Sequence, residues 1–192
     1  MSSIDNSLNE IRSLYEQHGD SEYYGEQITQ YEHAIQAAYF TEKFDAADYE
    51  LIIAAFLHDI GHLLGKDEDE LMSDYGVMRH EIIGAEYLKQ RHFSDRICRL
   101  IQNHVNAKRY LTYINNDYYN KLSDASKKTL EYQGGPMTQH EAEKFQQDPL
   151  FNLCLKLRSF DEAAKLVDFD YTEKGEHYWT LVRNHLISNS LQ

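Results

Sequence analysis

Apolar residues recur along this chain at intervals of three and four, the spacing of one face of an α-helix. Interruptions are few, since the only prolines are Pro136 and Pro149. Alternating strand patterns and Asn-Gly or Asp-Gly hairpin turns are absent from the sequence. We therefore expect an all-α protein, with helices near 5–17, 26–43, 48–61, 79–91, 94–110, 124–132, 138–146, 150–166 and 175–188.

Helix ends are marked by a few residues. Asp48 is placed to cap the third helix, and Gly61 falls near its end. The segment 63–78 is charged and contains glycine, which indicates a loop. No stretch has the composition of a linker, so we expect one domain over residues 1–192.

The charge balance limits the partners. The chain has 19 Lys and Arg against 32 Asp and Glu, a net charge of −13. This acidity disfavours nucleic acids and anionic membranes as partners, although it also simply aids solubility. An anionic substrate would therefore need a local basic pocket.

Cellular location is indicated by weaker signals. Cys98 and Cys154 are isolated, as expected of buried thiols in a reducing compartment. The first ten residues lack the basic start and apolar run of a signal peptide. No apolar stretch approaches membrane-spanning length. We expect a cytoplasmic protein with no membrane partner.

The candidate functional residues are polar residues at positions that belong to apolar helix faces. A buried Asp must be paired, hydrogen-bonded or bound to metal. A single residue of this kind can equally be a satisfied core histidine or a helix cap. Three stripes end in such residues: Leu51, Ala54, Ala55, His58 and His62; Ile97, Leu100, Ile101 and His104; and Leu150, Cys154, Leu157 and Asp161.

The most informative string is AAFLHDIGH, which contains His58 and Asp59. Together they offer an imidazole nitrogen and a carboxylate, whose two oxygens can bridge two metals. His62 follows one turn later and can serve the second metal. With His33, His80, His104 and Asp161 elsewhere in the chain, the sequence predicts a two-metal site. These ligand types suit iron, manganese and zinc alike.

Several longer strings resemble the HD-domain superfamily and, within it, the mixed-valence di-iron oxygenases. That group includes myo-inositol oxygenase and the enzymes that cleave phosphonates. The resemblance to the phosphonate-cleaving enzymes spans nearly the whole chain and implies an HD-type helical bundle with a di-metal site in its core. It is carried by QYEHAIQAAYF, AAFLHDIGH, YGVMRHEIIGAEYL, NHVNAKRYL, LSDASKKTLEYQGGPM and LKLRSFDEAAK.

The resemblance also implies the ligands. One iron would be held by His33, His58, Asp59 and Asp161, and the other by Asp59, His62, His80 and His104. Asp59 would then be the shared bridge. Tyr23 and Glu26 would form a mobile gate near the metals.

A basic pocket for an anion is indicated beside this site. Lys108 lies one turn after His104 on the same face. Ser126, Thr129 and Gln133 follow i, i+3, i+7 spacing on a short helix capped by Asp124 or Ser123, with Ser126 in the first turn, where free N–H groups favour an anion.

Ordinary capping explains Ser and Thr at such positions equally well, but the phosphonate-cleaving enzymes place these residue types around their substrate. Arg158, three residues before Asp161, is placed either to orient Asp161 or the gate or to form a structural salt bridge.

The activity implied by the resemblance is oxidative cleavage of a carbon–phosphorus bond in a small 1-hydroxyphosphonate. The cofactors would be two iron ions, Fe(II) and Fe(III), with dioxygen as co-substrate. The preferred substrate is 2-amino-1-hydroxyethylphosphonate, giving glycine and phosphate, because Glu26 suits an ammonium group. Alternatives are the trimethylammonio analogue giving glycine betaine, which Tyr23 and Tyr24 would favour as an aromatic cage, a metal-dependent HD phosphohydrolase, and a non-catalytic scaffold.

Overall fold

The computed structural model describes residues 3–23, 25–64, 71–72, 75–171 and 174–190. Within these residues the chain is helical, with two isolated β-bridges and no extended strand, as predicted. No helix in the described part is both long and apolar enough to cross a bilayer. The elements are α1 (Ser3–His18), α2 (Gln30–Phe44), α3 (Tyr49–Leu57), a 3₁₀ turn (Ile60–His62), α4 (His80–Lys89), α5 (Asp95–Ile114), α6 (Asn116–Lys121), α7 (Asp124–Tyr132), α8 (Gln139–Gln146), α9 (Phe151–Ala163) and α10 (Lys174–Asn189).

Helix α3 is the centre of the core. Its residues 51–57 are all buried, and α2, α5, α9 and α10 pack around it. Phe56 stacks on Tyr15 with ring centroids 5.7 Å apart and meets the edge of Trp179 at 4.9 Å. A side chain of this size contributes about 1.5–3 kcal/mol when fully buried. The end of α3 is thereby fixed in the middle of the molecule.

Helix α2 begins later than predicted. Thr29 caps it, and its hydroxyl and the Glu32 carboxylate form a reciprocal capping box. Residues before Thr29 instead form a loop, closed by a bridge between Glu22 and Thr29 and turned at Gly25, whose φ is +77°. The predicted start at residue 26 is wrong, because the capping box stops the helix at this point.

Helix α3 ends at Leu57, four residues before the predicted end at 61. Asp59 leaves the helix with φ −99° and ψ 10°, and the 3₁₀ turn follows. A Cβ at Gly61 would lie 2.0 Å from the carbonyl oxygen of His80, so only glycine lets α4 approach this turn. His58 and His62 therefore do not share one α-helical face, contrary to the prediction from their spacing.

Other boundaries differ in smaller ways. The short helix α6 was not predicted; Asn115 caps it, and it follows α5 directly. Helix α5 runs to residue 114 rather than 110, and α9 ends at 163 rather than 166. Part of the predicted loop 63–78 lies outside the described residues. The described part contains a bridge between Leu71 and Val77.

Candidate metal centre and anion pocket

Six of the predicted ligands converge in the core. Helix α2 brings His33, the end of α3 brings His58 and Asp59, and helices α4, α5 and α9 bring His80, His104 and Asp161. All six are at most 9% exposed. Helices distant in sequence thus deliver imidazoles and carboxylates to one buried point.

Backbone carbonyls orient four of the histidine rings. A ring Nδ1 that faces a carbonyl oxygen carries the proton, which leaves Nε2 unprotonated and directed toward the other ligands. For three of the rings the carbonyl belongs to the residue three positions earlier. The Nδ1–oxygen pairs are His33 with Ala164 (2.7 Å), His58 with Ala55 (2.8 Å), His80 with Val77 (3.1 Å) and His104 with Ile101 (2.8 Å).

The Asp59 carboxylate lies between two pairs of histidines. Its Oδ2 is 3.5 Å from Nε2 of His33 and 3.3 Å from Nε2 of His58. Its Oδ1 is 3.3 Å from Nε2 of His80 and 3.5 Å from Nε2 of His104. One oxygen faces each pair, the arrangement expected of a carboxylate that bridges two ions.

Asp161 completes the first half of the cluster. Its Oδ1 is 3.4 Å from Nε2 of His33, and its Oδ2 accepts a hydrogen bond from Arg158 at 2.6 Å. Burial acts to raise the pKa of Asp161, but attraction to the Arg158 guanidinium is the largest opposing effect, and the pKa lies well below its usual value. Arg158 also contacts Glu162 and donates to the hydroxyl of Tyr118 at 3.1 Å. Arg158 thus keeps Asp161 ionised and fixes its orientation.

The donor set fits a pair of cations. Nε2 of His33 is 3.2 Å from Nε2 of His58, and Nε2 of His80 is 3.1 Å from Nε2 of His104. Because each Nδ1 faces a carbonyl, the neutral forms of these rings would bring unprotonated nitrogens together, and a cation, either a proton or a metal ion, is needed beside each pair. Iron, manganese and zinc all accept this mixture of imidazole and carboxylate.

His62 differs from the other four histidines. It lies close enough to Asp59 and His80 for one ion to contact all three, as the ligand prediction requires. Its ring stacks on that of His80 with centroids 3.8 Å apart. However, Nδ1 of His62 accepts a hydrogen bond from the Val77 amide at 3.0 Å, which places the proton of the neutral ring on Nε2.

A cavity opens onto this cluster. At its wall, Nζ of Lys108 donates to Oγ1 of Thr129 at 2.7 Å and to Oε1 of Gln133 at 2.9 Å. Lys108 is 2% exposed, and burial, followed by repulsion from Arg158, lowers its pKa well below 10.5. A bound anion would offset that cost. The predicted grouping of Lys108, Thr129 and Gln133 is present in the structure.

Ser126 also lines the cavity, but its first-turn amide is not free for an anion. Ser123 is the N-cap of α7, and its hydroxyl accepts from the Ser126 amide at 3.2 Å. The hydroxyl of Ser126 instead lies 3.2 Å from Nζ of Lys165.

Lys165 was not among the predicted site residues. Its Nζ donates to Oε1 of Glu26 at 2.8 Å and to Oγ of Ser123 at 3.2 Å, so Glu26 is already paired with a cation. Lys165 follows the end of α9, where no helical spacing marks it.

Tyr23 lies over the first half of the cluster. Its ring stacks on that of His33, with centroids 3.8 Å apart and planes 15° apart. Burial, followed by the Asp59 carboxylate, raises its pKa well above 10.0, so the phenol is neutral at ordinary pH. Tyr23 and Glu26 both line the cavity. Tyr24 lies outside the described residues.

Comparison with known proteins agrees with this geometry. The HD-domain family model matches residues 30–146. This chain belongs to the HD-domain family. The predicted family and helical fold are therefore confirmed, and the His/Asp cluster of this HD domain occupies its core.

Three relatives cover most of the chain. A protein of Acanthamoeba polyphaga mimivirus described as "Uncharacterized protein L432" is 46% identical, over 87% of this chain and 76% of its own length. A hydroxymethylphosphonate dioxygenase of Gimesia maris is 41% identical, over 88% of this chain and 84% of its own length. A [1-hydroxy-2-(trimethylamino)ethyl]phosphonate dioxygenase (glycine-betaine-forming) of Leisingera caerulea is 37% identical, over 88% and 83%. This HD protein therefore resembles enzymes that oxidise hydroxyphosphonates.

Proposed function

We propose that this HD protein is a di-iron oxygenase that cleaves the carbon–phosphorus bond of a small 1-hydroxyphosphonate. The observation that carries the proposal is the position of the Lys108 group, in the wall of a cavity that opens onto the Asp59 cluster. A phosphonate held there keeps its carbinol carbon beside the metals. The names of the two dioxygenase relatives support the same chemistry.

The proposed cofactors are two iron ions in the Fe(II) and Fe(III) states. His33, His58 and Asp161 would hold one ion, His80 and His104 the other, and Asp59 both. When bound, the pair would supply the activation of dioxygen and a Lewis-acid anchor for the substrate oxygens.

The chain's own residues bind and orient the substrate. Lys108, with Thr129 and Gln133, supplies charge and hydrogen-bond donors to the phosphonate. We propose that His62 presents its Nε2–H to a substrate oxygen rather than binding the second ion, because its Nδ1 is occupied by the Val77 amide. Tyr23 covers the His33 ring as a neutral phenol and excludes water from that side.

The proposed substrate is 2-amino-1-hydroxyethylphosphonate, and the products are glycine and phosphate. Glu26, at the cavity wall, offers a carboxylate to an ammonium group. The trimethylammonio compound is the principal alternative. It has no N–H to donate, so it would gain no hydrogen bond from the Glu26 carboxylate and would depend on aromatic faces such as that of Tyr23.

Two further proposals concern the whole chain. Helices α1 and α10 lie outside the family match yet pack on each other, and α10 also packs on α3, which supports a single domain. The buried, unpaired cysteines Cys98 and Cys154 support a cytoplasmic location.

The test is to load the protein with iron and supply candidate hydroxyphosphonates with and without dioxygen. We expect phosphate release that requires both iron and dioxygen, and a coupled Fe(II)/Fe(III) signal in electron paramagnetic resonance that changes when substrate is added. Phosphate release under strict anaerobiosis would establish a hydrolase instead.

A further inference from the structure

We infer that Lys165 and Glu26 form an exchangeable ion pair that selects zwitterionic substrates. In this exchange the contact between Lys165 and Glu26 breaks. Lys165 then binds the phosphonate group of the substrate, and Glu26 binds its ammonium group. The inference rests on the proposed function for the class of substrate, and it assigns a recognition role to Lys165.

The Lys165–Glu26 pair lies between the loop that carries Glu26 and the start of α7, on the wall of the cavity. Nζ of Lys165 is 2.8 Å from Oε1 of Glu26 and 3.2 Å from the hydroxyls of Ser123 and Ser126. One side of the ammonium group therefore faces the loop that carries Glu26, and the other faces the start of α7. All of these residues except Ser123 line the cavity.

The other charges of the cavity are committed to different partners. Asp59 and Asp161 face the histidines, and Arg158 is bound to Asp161 at 2.6 Å. Lys108 donates to two neutral oxygens, those of Thr129 and Gln133. Among the described lining residues, Glu26 and Lys165 form the ion pair that includes none of the predicted metal ligands. This pair can therefore separate without disturbing the His/Asp cluster.

The charges of a substrate decide whether separation is favourable. A dianionic phosphonate attracts Lys165 more strongly than a single carboxylate does. Once Lys165 turns away, Glu26 is a largely buried carboxylate without a partner, which is costly. An ammonium group two carbons from phosphorus removes that cost, whereas hydroxymethylphosphonate has no group that can do so.

The exchange also affects the loop. Glu26 lies near the tip of the loop at residues 22–29, whose base is held by the hydrogen bond from the Tyr23 amide to the Ile28 carbonyl at 2.8 Å. The contact with Lys165 ties the tip to the far wall of the cavity. When a zwitterion binds, the direct contact between Glu26 and Lys165 would be replaced by a contact in which the substrate lies between them.

The experiment measures equilibrium binding of two compounds to the iron-loaded protein without dioxygen, by titration calorimetry. The compounds are 2-amino-1-hydroxyethylphosphonate and hydroxymethylphosphonate. The variants are Glu26→Gln, Lys165→Met and Lys165→Arg. Lys128→Met is the matched control, since Lys128 pairs with Glu131 on the exposed side of α7.

We expect Glu26→Gln to move the two affinities in opposite directions. The amino compound loses its ammonium partner and should bind about tenfold more weakly. Hydroxymethylphosphonate no longer leaves a carboxylate unpaired and should bind about threefold more tightly. Lys165→Met should weaken hydroxymethylphosphonate about tenfold, and Lys165→Arg should restore most of that loss.

The inference is overturned if Glu26→Gln does not move the two affinities in opposite directions, or if Lys165→Met leaves both within about twofold of the parent. Glu26→Gln is nearly isosteric, so this arm decides the question even if Lys165→Met does not fold. Absence of phosphate release in the oxygenated assay would refute the proposed function separately, since binding is measured without turnover.

Discussion

The two sides of the cavity are held in different ways. On the metal side, the backbone orients His33, His58, His80 and His104 through their Nδ1 atoms. On the anion side, the polar groups hold one another: Lys108 donates to the Thr129 and Gln133 side chains, and Lys165 to Glu26 and Ser126. Side-chain partners can be exchanged when a ligand arrives, whereas carbonyl anchors cannot. The metal side is therefore preorganised, and we propose that the anion side adapts to the substrate.

The largest effect is expected from Asp59→Ala, which removes the carboxylate that faces both histidine pairs. Both ions should be lost, and activity should fall by more than about 100-fold, beyond what loss of a supporting residue costs. Metal analysis and turnover are the measurements. Asp95→Ala is the control, since Asp95 pairs with Lys89 at the surface. Full metal content in Asp59→Ala would contradict the bridging assignment.

A weaker but more selective effect is expected on the anion side. Lys108→Met removes a buried amine that donates two hydrogen bonds. The KM for the phosphonate should rise roughly tenfold to a hundredfold, since a hydrogen bond to a charged group contributes about 1.5–3 kcal/mol. Metal content should stay at the parent level. If the metal were lost as well, the two sides would not be independent. Lys128→Met again serves as control.

His62 lies at the boundary between the metal side and the anion side. Its substitution tests to which of the two sides it belongs. His62→Ala should keep most of the metal and raise the KM by about tenfold, because a donor to the substrate is lost. His62→Gln, which retains an N–H donor, should recover part of the affinity. Loss of one metal equivalent in His62→Ala would place His62 among the ligands of the second ion.

The smallest expected effect is the uptake of a proton by Lys108 when the phosphonate binds. Burial and Arg158 lower the pKa of Lys108 in the free protein, and a bound dianion would raise it again. At a pH between the lowered pKa in the free protein and the pKa in the complex, binding should therefore take up a proton. Calorimetry in HEPES and in Tris would measure the uptake, and Lys108→Met should abolish it. Equal heats in both buffers at every pH at which the parent protein binds the phosphonate would refute this proton uptake.

Sequence patterns were informative where the geometry is local. His58, His104 and Asp161 end apolar stripes, and the helix spacing alone places them in the core. The start of α2 was mispredicted because the capping box at Thr29 lies within a stretch that otherwise has helical periodicity. The end of α3 was mispredicted because the packing of His80 against Gly61 replaces the last helical turn.

Lys165 could not be predicted from the sequence for a related reason. It lies beyond the last turn of α9, and its partners Glu26 and Ser126 are 139 and 39 residues away. No periodicity links positions that only the assembled bundle brings together. The predicted metal ligands, by contrast, are His and Asp residues, several of which lie at positions of apolar helix faces. Both features can be recognised in a single sequence.

Gly61 has a further consequence for how the two ions are spaced. The glycine joins the turn that follows Asp59 to the helix that begins with His80, through direct backbone contact. The position of His80 relative to the turn that follows Asp59 is therefore fixed by this contact between backbones. A methyl group added at Gly61 would push His80 away from Asp59, and so would alter the distance between the proposed ions while every coordinating atom stays chemically intact. Electronic coupling between the two proposed iron ions would thus depend on a residue that has no side chain.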